Sequence, residues 1–252
     1  SGIAHRLHSA GIHNILMTEA VQPLCVRRTV SFSECVYEGE ASVEGIRGVL
    51  IENLNELSDL WKERMIAVFV DPEGRCISEL RPDVLIDATM LKKETSLCGR
   101  EAHLIIGIGP GFTAPDNVHA VIESNRGHNL GRVMWTGSAE PYTGVPGNTN
   151  GITKERVLRA SVSGTVKHER HIGEMVKKGD TVLYVDAIPV HAQVNGILRG
   201  LIREVYVTAD EKIGDIDPRS KIDHCYTISD KARAIAGGVL EAIMHKYNLL
   251  DL

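Results

Sequence analysis

The sequence predicts a mixed α/β protein built in two parts, followed by a helix. In residues 1–110, short apolar runs alternate with segments of helical spacing, which is the pattern of a wound α/β sheet. In residues 157–218, short β-branched runs are separated by glycine turns, which is typical of β-rich structure. Aromatic residues make up only 4% of the chain, so aliphatic side chains must form the core.

The composition excludes several classes of protein. At 252 residues, with 43% hydrophobic and 24% charged residues, the chain is globular and long enough for two ordinary domains. It contains no apolar stretch long enough to span a membrane, and its net charge of -5 gives no attraction to nucleic acid. Its five cysteines lack CxxC spacing, and no signal peptide is visible. We therefore expect a cytoplasmic protein without nucleic-acid or membrane partners.

The first elements follow the order of a nucleotide-binding unit. Residues 1–11 predict a helix that ends at Gly11, and residues 14–19 predict a short buried strand that closes on Glu19. An acid at the end of the second strand of such a unit hydrogen-bonds a ribose hydroxyl, so Glu19 is a cofactor-binding candidate. The first strand and its glycine loop would precede Ser1. The fold expected for residues 1–155 is therefore a Rossmann-like wound sheet that lacks these two elements.

The remaining elements of the first part can be taken in chain order. Residues 20–51 suggest a loop and then a β-hairpin that turns at Glu44-Gly45. The later elements are a helix at 54–64, strands at 66–70, 83–88 and 103–108, and a hairpin with a polar tip at 118–135. Ligands are expected at the carboxyl ends of the strands.

Glycines directly after the strand at 103–108 form the first candidate site. At Gly109 and Gly111, backbone N–H groups could converge on an anion without obstruction by a side chain. The alternative is a tight turn without a ligand.

The polar segment after residue 118 is the second candidate. His119 and Glu123 project to the same side of the chain, and with His128 they form a candidate metal set. The alternative is a hydrogen-bonded pair on a half-buried strand. The candidates for binding a phosphate are Asn125, Arg126 and Arg132.

Further charged residues could contribute to an anion site. Cofactor-binding candidates in presumed loops are the doublets Arg27-Arg28 and Lys92-Lys93, with solvated charge as the alternative. Ser229 and Lys231, at the start of the last helix, complete the set.

Two other groups of residues have a structural alternative. Asp215 and Asp217 could bind Mg²⁺, or Asp217 could cap the following Pro-Arg turn. His168 and His171 have no acid or cysteine at ligand spacing, and we expect both to be exposed.

The second part, residues 156–220, has the strand order and spacing of the biotinyl and lipoyl domains, which are barrel-sandwich hybrids. Those carriers place a modified lysine at a hairpin tip, where this chain has Asp186-Ala187-Ile188-Pro189. We therefore predict neither lipoyl nor biotin. Residues 221–252 predict a helix that packs back on the α/β domain. Gly237-Gly238 in its middle should be compensated by the close approach of another backbone or a ligand.

Long polar strings across the chain resemble the YqeB-type accessory proteins of the selenium-dependent molybdenum hydroxylase system. They include Arg27 to Phe32, Gly109 to Phe112, Asn125 to His128, Asp215 to Arg219 and Ile228 to Ala232. The resemblance implies a maturation protein that binds a nucleotide or molybdopterin-type cofactor and meets the hydroxylase apoprotein, with a homo-oligomer left open. The alternative is a nucleotide-dependent enzyme, an NAD(P)-linked oxidoreductase or group transferase. No catalytic residues can be assembled from the sequence.

Overall fold

A computed structural model describes residues 1–90, 97–145 and 147–247. The protein is a mixed α/β structure with several sheets and a long helix near its end. The helices are α1 (Gly2–Ser9), α2 (Cys35–Glu38), α3 (Leu57–Lys62), α4 (Cys76–Leu80), α5 (Asp223–Tyr226) and α6 (Asp230–Tyr247). The strands of the first part are β1 (Leu16–Glu19), β2 (Glu40–Val43), β3 (Ile46–Ile51), β4 (Ile66–Val70), β5 (Val84–Asp87), β6 (Leu104–Ile108), β7 (Thr113–Ala114), β8 (Ala120–Ile122), β9 (Val133–Met134) and β10 (Gly137–Ser138). Those of the second part are β11 (Val157–Arg159), β12 (Gly164–His168), β13 (Met175–Val176), β14 (Thr181–Val185), β15 (Ile188–His191), β16 (Gly196–Leu201), β17 (Tyr206–Val207) and β18 (Lys212–Asp217).

The chain divides into two compact units. The β unit contains Ser1, Val21–Leu50 and Gly144–Ile228; the α/β unit contains Gly2–Ala20, Ile51–Thr143 and the described residues from Ser229 on. The sequence predicted a continuous first domain up to residue 155. Residues 21–50 instead belong with the later strands, because Leu201 donates its N–H to the carbonyl oxygen of Val26 at 2.7 Å.

Parallel strands form the framework of the α/β unit. β1 pairs in parallel with β4, and β6 pairs in parallel with both β5 and β8. Asp87 lies opposite Gly107, and Ile108 lies opposite Ile122. The carboxyl ends of β5, β6 and β8 therefore meet at one edge, as expected for the predicted strands, and β9 completes this sheet in antiparallel orientation.

Helix α6 covers one face of the β5–β6–β8–β9 sheet. Leu104, Ile106 and Ile108 of β6 share a core with Ile235 and Val239 of α6, whereas the intervening Ile105 belongs to a different cluster. The hydroxyl of Ser229 accepts the N–H of Ala232 at 3.2 Å, which confirms the predicted N-cap.

The β unit contains two four-stranded sheets besides the β2–β3 hairpin, with strand orders β11-β18-β16-β13 and β15-β14-β12-β17. Leu158 and Leu198 of the first sheet share one core with Val166 and Leu183 of the second. At the tip between β14 and β15, the carboxylate of Asp186 accepts the N–H of Thr165 at 2.8 Å.

The predicted hairpin before residue 51 is also present. β2 and β3 pair in antiparallel orientation, and the two residues of the turn, Glu44 and Gly45, have φ values of 45° and 85°. All five cysteines are free thiols. Within the described part of the chain, no helix has the length and apolar character needed to cross a membrane.

Candidate functional site

The turn after β6 lies at the edge where the parallel strands end. Gly109 has φ of 80°, and a β-carbon on it would be 2.3 Å from the hydroxyl oxygen of Ser124. The N–H of Gly109 donates to the carbonyl of Ile122 at 2.9 Å, so it is not available to a ligand. The tight-turn alternative therefore explains Gly109, while Gly111, with φ of 104°, completes the turn.

The buried carboxylate of Glu123 organises the loop after β8. Its two oxygens accept the N–H groups of Asn125 at 2.6 Å and Glu140 at 2.8 Å. The side-chain amide of Asn125 donates to the carboxylate of Glu140 at 2.5 Å. Glu123 and Asn125, which were both predicted as site residues, therefore hold the backbone of this loop in place.

The structure does not bring the candidate metal set together as ligands. His119 accepts the N–H of Ile105 through Nδ1 at 2.9 Å, Glu123 is engaged by backbone, and His128 is exposed. Among residues 1–90, 97–145 and 147–247, no group of three His, Cys, Asp or Glu side chains could hold a metal ion.

Two cationic side chains meet where β8 ends and α6 begins. Arg126 donates to both carboxylate oxygens of Asp230, at 2.6 and 2.9 Å, although the two residues are 104 positions apart. Lys231 is half-buried, and its charge interacts with those of Arg126 and Glu123. Burial lowers the pKa of Lys231, repulsion from Arg126 adds to this effect, and attraction by Glu123 opposes it. The structure therefore places the predicted Arg126, Ser229 and Lys231 together at the start of α6.

Arg132 contributes to this region through its backbone. Its carbonyl accepts the N–H of Glu123 at 3.0 Å, while the residue itself is exposed. The structure therefore does not orient Arg132 and Arg126 around a common phosphate position.

A second edge of the α/β unit is acidic. Glu19 is half-buried at the end of β1, where burial raises the pKa of its carboxyl group. Its carbonyl accepts the N–H of Asp71 at 3.0 Å. Burial disfavours the charge of Asp71, but hydrogen bonds from backbone N–H groups, that of Cys76 foremost, hold the pKa below its usual value.

Asp71 also lines a cavity of about 550 Å³, together with Glu52 and Phe69. Asp71 was not predicted from the sequence. Like Glu19 of β1, it is an acid at the end of a parallel strand, which is the position expected for a ribose-binding carboxylate.

Arg27 and Arg28 belong to the β unit, and Lys92 and Lys93 lie outside the described residues. Arg28 donates to the carbonyl of Leu201 at 2.8 Å and lines a cavity of about 310 Å³.

His168 lines the same cavity as Arg28. It is half-buried, with Nε2 at 2.7 Å from the carbonyl of Ile202, so the expectation that it is exposed was wrong. His171, as expected, is exposed.

Asp215 and Asp217 are buried and paired with arginines. Asp217 accepts the backbone N–H of Arg219 at 3.0 Å, which confirms the turn-capping alternative. Its carboxylate lies 2.6 Å from Nη2 of Arg219, and Asp215 pairs with Arg156. Because both carboxylates are paired with guanidinium groups, the structure does not support the Mg²⁺ alternative.

Comparison with known proteins gives one sequence relative. The chain is 42% identical over 245 residues to the uncharacterized protein YqeB of Escherichia coli. This match covers 97% of the chain but only 45% of the relative, so the chain spans less than half of that protein's length. No family model matches the chain.

The similarities to solved structures are weak. A product-bound ectoine utilization protein EutE from Ruegeria pomeroyi has a TM-score of 0.29 and 10% identity, over 80% of this chain and 84% of the other. A succinylglutamate desuccinylase/aspartoacylase from Rhodobacter sphaeroides has a TM-score of 0.28 and 10% identity, with coverages of 80% and 84%. An aspartoacylase family protein from Mesorhizobium loti has a TM-score of 0.23 and 18% identity, over 25% of this chain and 22% of the other. At these scores the similarities assign neither a fold nor a reaction.

Proposed function

We propose that the α/β unit binds a phosphate-bearing cofactor of nucleotide or molybdopterin type, at the edge where β5, β6 and β8 end beside the start of α6. The observation that carries this proposal is the convergence of Arg126 and Lys231 at that edge. The carboxyl edge of a parallel sheet is where ligands bind in open α/β folds.

The start of α6 adds positive charge to this edge, where Asp230 pairs with Arg126 and Glu123 attracts Lys231. α6 is 18 residues long, and the N-terminus of a helix carries partial positive charge and N–H groups without intrahelical partners. Lys231 adds a cation that is half-buried and repelled by Arg126. A bound phosphate would offset this repulsion. Asp230 is a positioning residue, since its two hydrogen bonds fix the plane of the Arg126 guanidinium.

We also propose the finer classification of the two units. The parallel pairing of β1 with β4 and of β5, β6 and β8 supports a Rossmann-like sheet, in which Glu19 would contact a ribose hydroxyl. The two sheets that share one core in the β unit support a barrel-sandwich hybrid of the biotinyl or lipoyl type. Asp186 lies at the hairpin tip, and we expect neither lipoyl nor biotin on this chain.

For the protein as a whole, we propose an accessory role in the maturation of a selenium-dependent molybdenum hydroxylase, with the hydroxylase apoprotein as partner. The support is the resemblance carried by the long polar strings, including Asn125 to His128 and Ile228 to Ala232. Turnover of NAD(P)H or ATP by the protein in the absence of a hydroxylase would contradict this role and favour the enzyme alternative.

The cofactor site can be tested by titration calorimetry with ATP, NAD⁺ and a molybdopterin nucleotide. Lys231→Gln should weaken binding about tenfold or more, because a charge-assisted hydrogen bond contributes roughly 1.5–3 kcal/mol. Lys246→Gln, at the exposed opposite end of α6, is the matched control and should bind normally. Absence of binding by the wild-type chain, or equal weakening by both variants, would overturn the proposal.

A further inference from the structure

A group of charged side chains in the β unit surrounds the two buried carboxylates of β18. Leu198 and Ile216 contribute to the core shared by the two sheets, whereas Asp215 and Asp217 belong to a separate charged layer. Helix α5 and the turn at Arg28–Val30 pack against the neighbouring strand β16. This layer also contains His224. Its five cationic side chains are Arg27, Arg156, Arg199, Lys212 and Arg219.

The carboxylate of Asp217 is fully engaged. Nη2 of Arg219 lies at 2.6 Å, Nδ1 of His224 at 3.2 Å and Nη1 of Arg199 at 3.3 Å. Burial disfavours the charge, but the hydrogen bonds from Arg219 and His224 hold the pKa of Asp217 well below its usual range. Asp217 is therefore a fixed anion of this layer.

The positive charge of the layer exceeds its negative charge. Asp215 pairs with Arg156, and its other oxygen lies 3.7 Å from Nε of Arg199, which is too long for a hydrogen bond. Two carboxylates thus face five cationic side chains, Arg27 and Lys212 among them. Burial lowers the pKa of Lys212, Asp215 opposes this, and repulsion from Arg156, Arg199 and Arg27 adds to it.

Two buried N–H donors in the layer have no acceptor among the residues that the structure describes. These are the Nε atoms of Arg27 and Arg199. Nη2 of Arg27 donates to the carbonyls of His224 and Thr227, at 2.9 and 3.0 Å, which holds the guanidinium in place but leaves Nε unused. Burial, together with repulsion from Arg199, lowers the pKa of Arg27 to about 10. Buried donors without acceptors are rare in proteins, and each requires an explanation such as a bound water or ion.

We propose that Arg27 and Arg199, with Lys212 beside them, bind a small oxyanion of the phosphate or sulfate type in the β unit. Such an ion supplies the acceptors that the two Nε–H groups lack and offsets the excess positive charge. This site consists of residues of the β unit alone, and the inference does not depend on the cofactor site proposed for the α/β unit.

The direct test is a titration of the ¹⁵N-labelled full chain, followed through the arginine Nε–H resonances. Inorganic phosphate is added at constant ionic strength, with sodium chloride as the balancing salt. The resonances of Arg27 and Arg199 should shift together and saturate. A parallel titration with adenosine monophosphate shows whether the natural ligand is a free ion or a phosphate group on a larger molecule. If adenosine monophosphate binds more tightly than inorganic phosphate, the ligand is a phosphate ester. If adenosine monophosphate does not bind, the ligand is the free ion. Resonances that do not move with either ligand would overturn the proposal.

Variants give an independent measurement. Lys212→Met and Arg27→Gln should each weaken phosphate binding about tenfold or more, whereas Lys167→Met, an exposed lysine on β12, should bind as the wild type does. If Arg27→Gln does not fold, the proposal is judged from the phosphate affinity of Lys212→Met and from the arginine resonances of the wild-type protein. Unchanged phosphate affinity in both Lys212→Met and Arg27→Gln would overturn the proposal, because the ion would then bind outside this layer. Lys231→Gln should leave this titration unaffected, so the two proposals can fail separately.

Discussion

Gly238 of α6 packs directly against the carbonyl oxygen of Gly131, so closely that a β-carbon on Gly238 would be 2.2 Å from that oxygen. The same turn approaches α6 at a second point, since a β-carbon on Gly131 would be 2.6 Å from the carbonyl oxygen of Ala234. The close approach predicted for the glycine pair is thus confirmed at Gly238. At Gly237, by contrast, no heavy atom of the described residues outside the neighbouring helix backbone lies within 4 Å of an added β-carbon.

The glycine pair therefore predicts opposite effects of one substitution at adjacent positions. Gly237→Ala should stabilise the protein by about 1 kcal/mol, because alanine favours the helix. Gly238→Ala should destabilise it by roughly 1–3 kcal/mol, because the methyl group forces α6 away from the turn at Gly131. Urea unfolding of both variants measures the difference. A stabilising Gly238→Ala would show that this contact is absent in solution.

Asp217 should make stability depend on pH. Its folded pKa is depressed, so its contribution is complete above the unfolded value of about 3.9 and is lost as pH falls toward the folded pKa. Asp217→Asn should lower the free energy of unfolding at pH 7 by about 3–5 kcal/mol, because it leaves buried cations unpaired. The difference between wild type and variant should shrink below about pH 4. A difference that is constant from pH 7 to pH 3 would contradict this assignment.

The Arg126–Asp230 pair should matter for binding more than for stability. Its side chains are 38% and 67% exposed, and ion pairs of this kind contribute less than about 1 kcal/mol. A double-mutant cycle with Arg126→Gln and Asp230→Asn, measured by urea unfolding, should give a coupling energy in that range that falls at high salt. Arg126→Gln should nevertheless weaken cofactor binding. A coupling energy above about 2 kcal/mol would assign the pair a mainly structural role.

The cysteines should differ in reactivity toward a thiol reagent. Cys98 is exposed, whereas burial raises the pKa of Cys35 to about 11, and burial with the nearby Asp71 raises that of Cys76 to about 12. In the native protein at pH 8, Cys98 should react rapidly, and Cys35 and Cys76 only after unfolding. Mass spectrometry of labelled peptides identifies the sites. Rapid labelling of Cys76 would show that the end of β4 opens in solution.

Local elements could be predicted from the sequence because their signals are local. The turn at Glu44-Gly45, the N-cap at Ser229 and the strand at 104–108 each depend on neighbouring residues. The pairing of Arg126 with Asp230 could not be predicted, because no periodicity links positions 104 residues apart.

The charged layer was also beyond sequence reasoning. An arginine such as Arg199 on a strand is normally assigned to the solvent. Its burial depends on residues 21–50, which belong with the later strands through contacts such as Leu201 to Val26. Residues 21–50 have no clear periodicity in the sequence, yet they determine both the boundaries of the two units and the surroundings of Arg199.

The interleaving of the two units has a consequence for biosynthesis. The α/β unit uses α6, which leaves the ribosome after every strand of the β unit, while the β unit uses residues 21–50, which emerge before most of the α/β unit. Each unit must therefore close long loops before its core is complete, which slows folding. Neither unit can be made by cutting the gene at one place, and a stalled ribosome would present the apolar face of β6 and β8 without α6 to cover it.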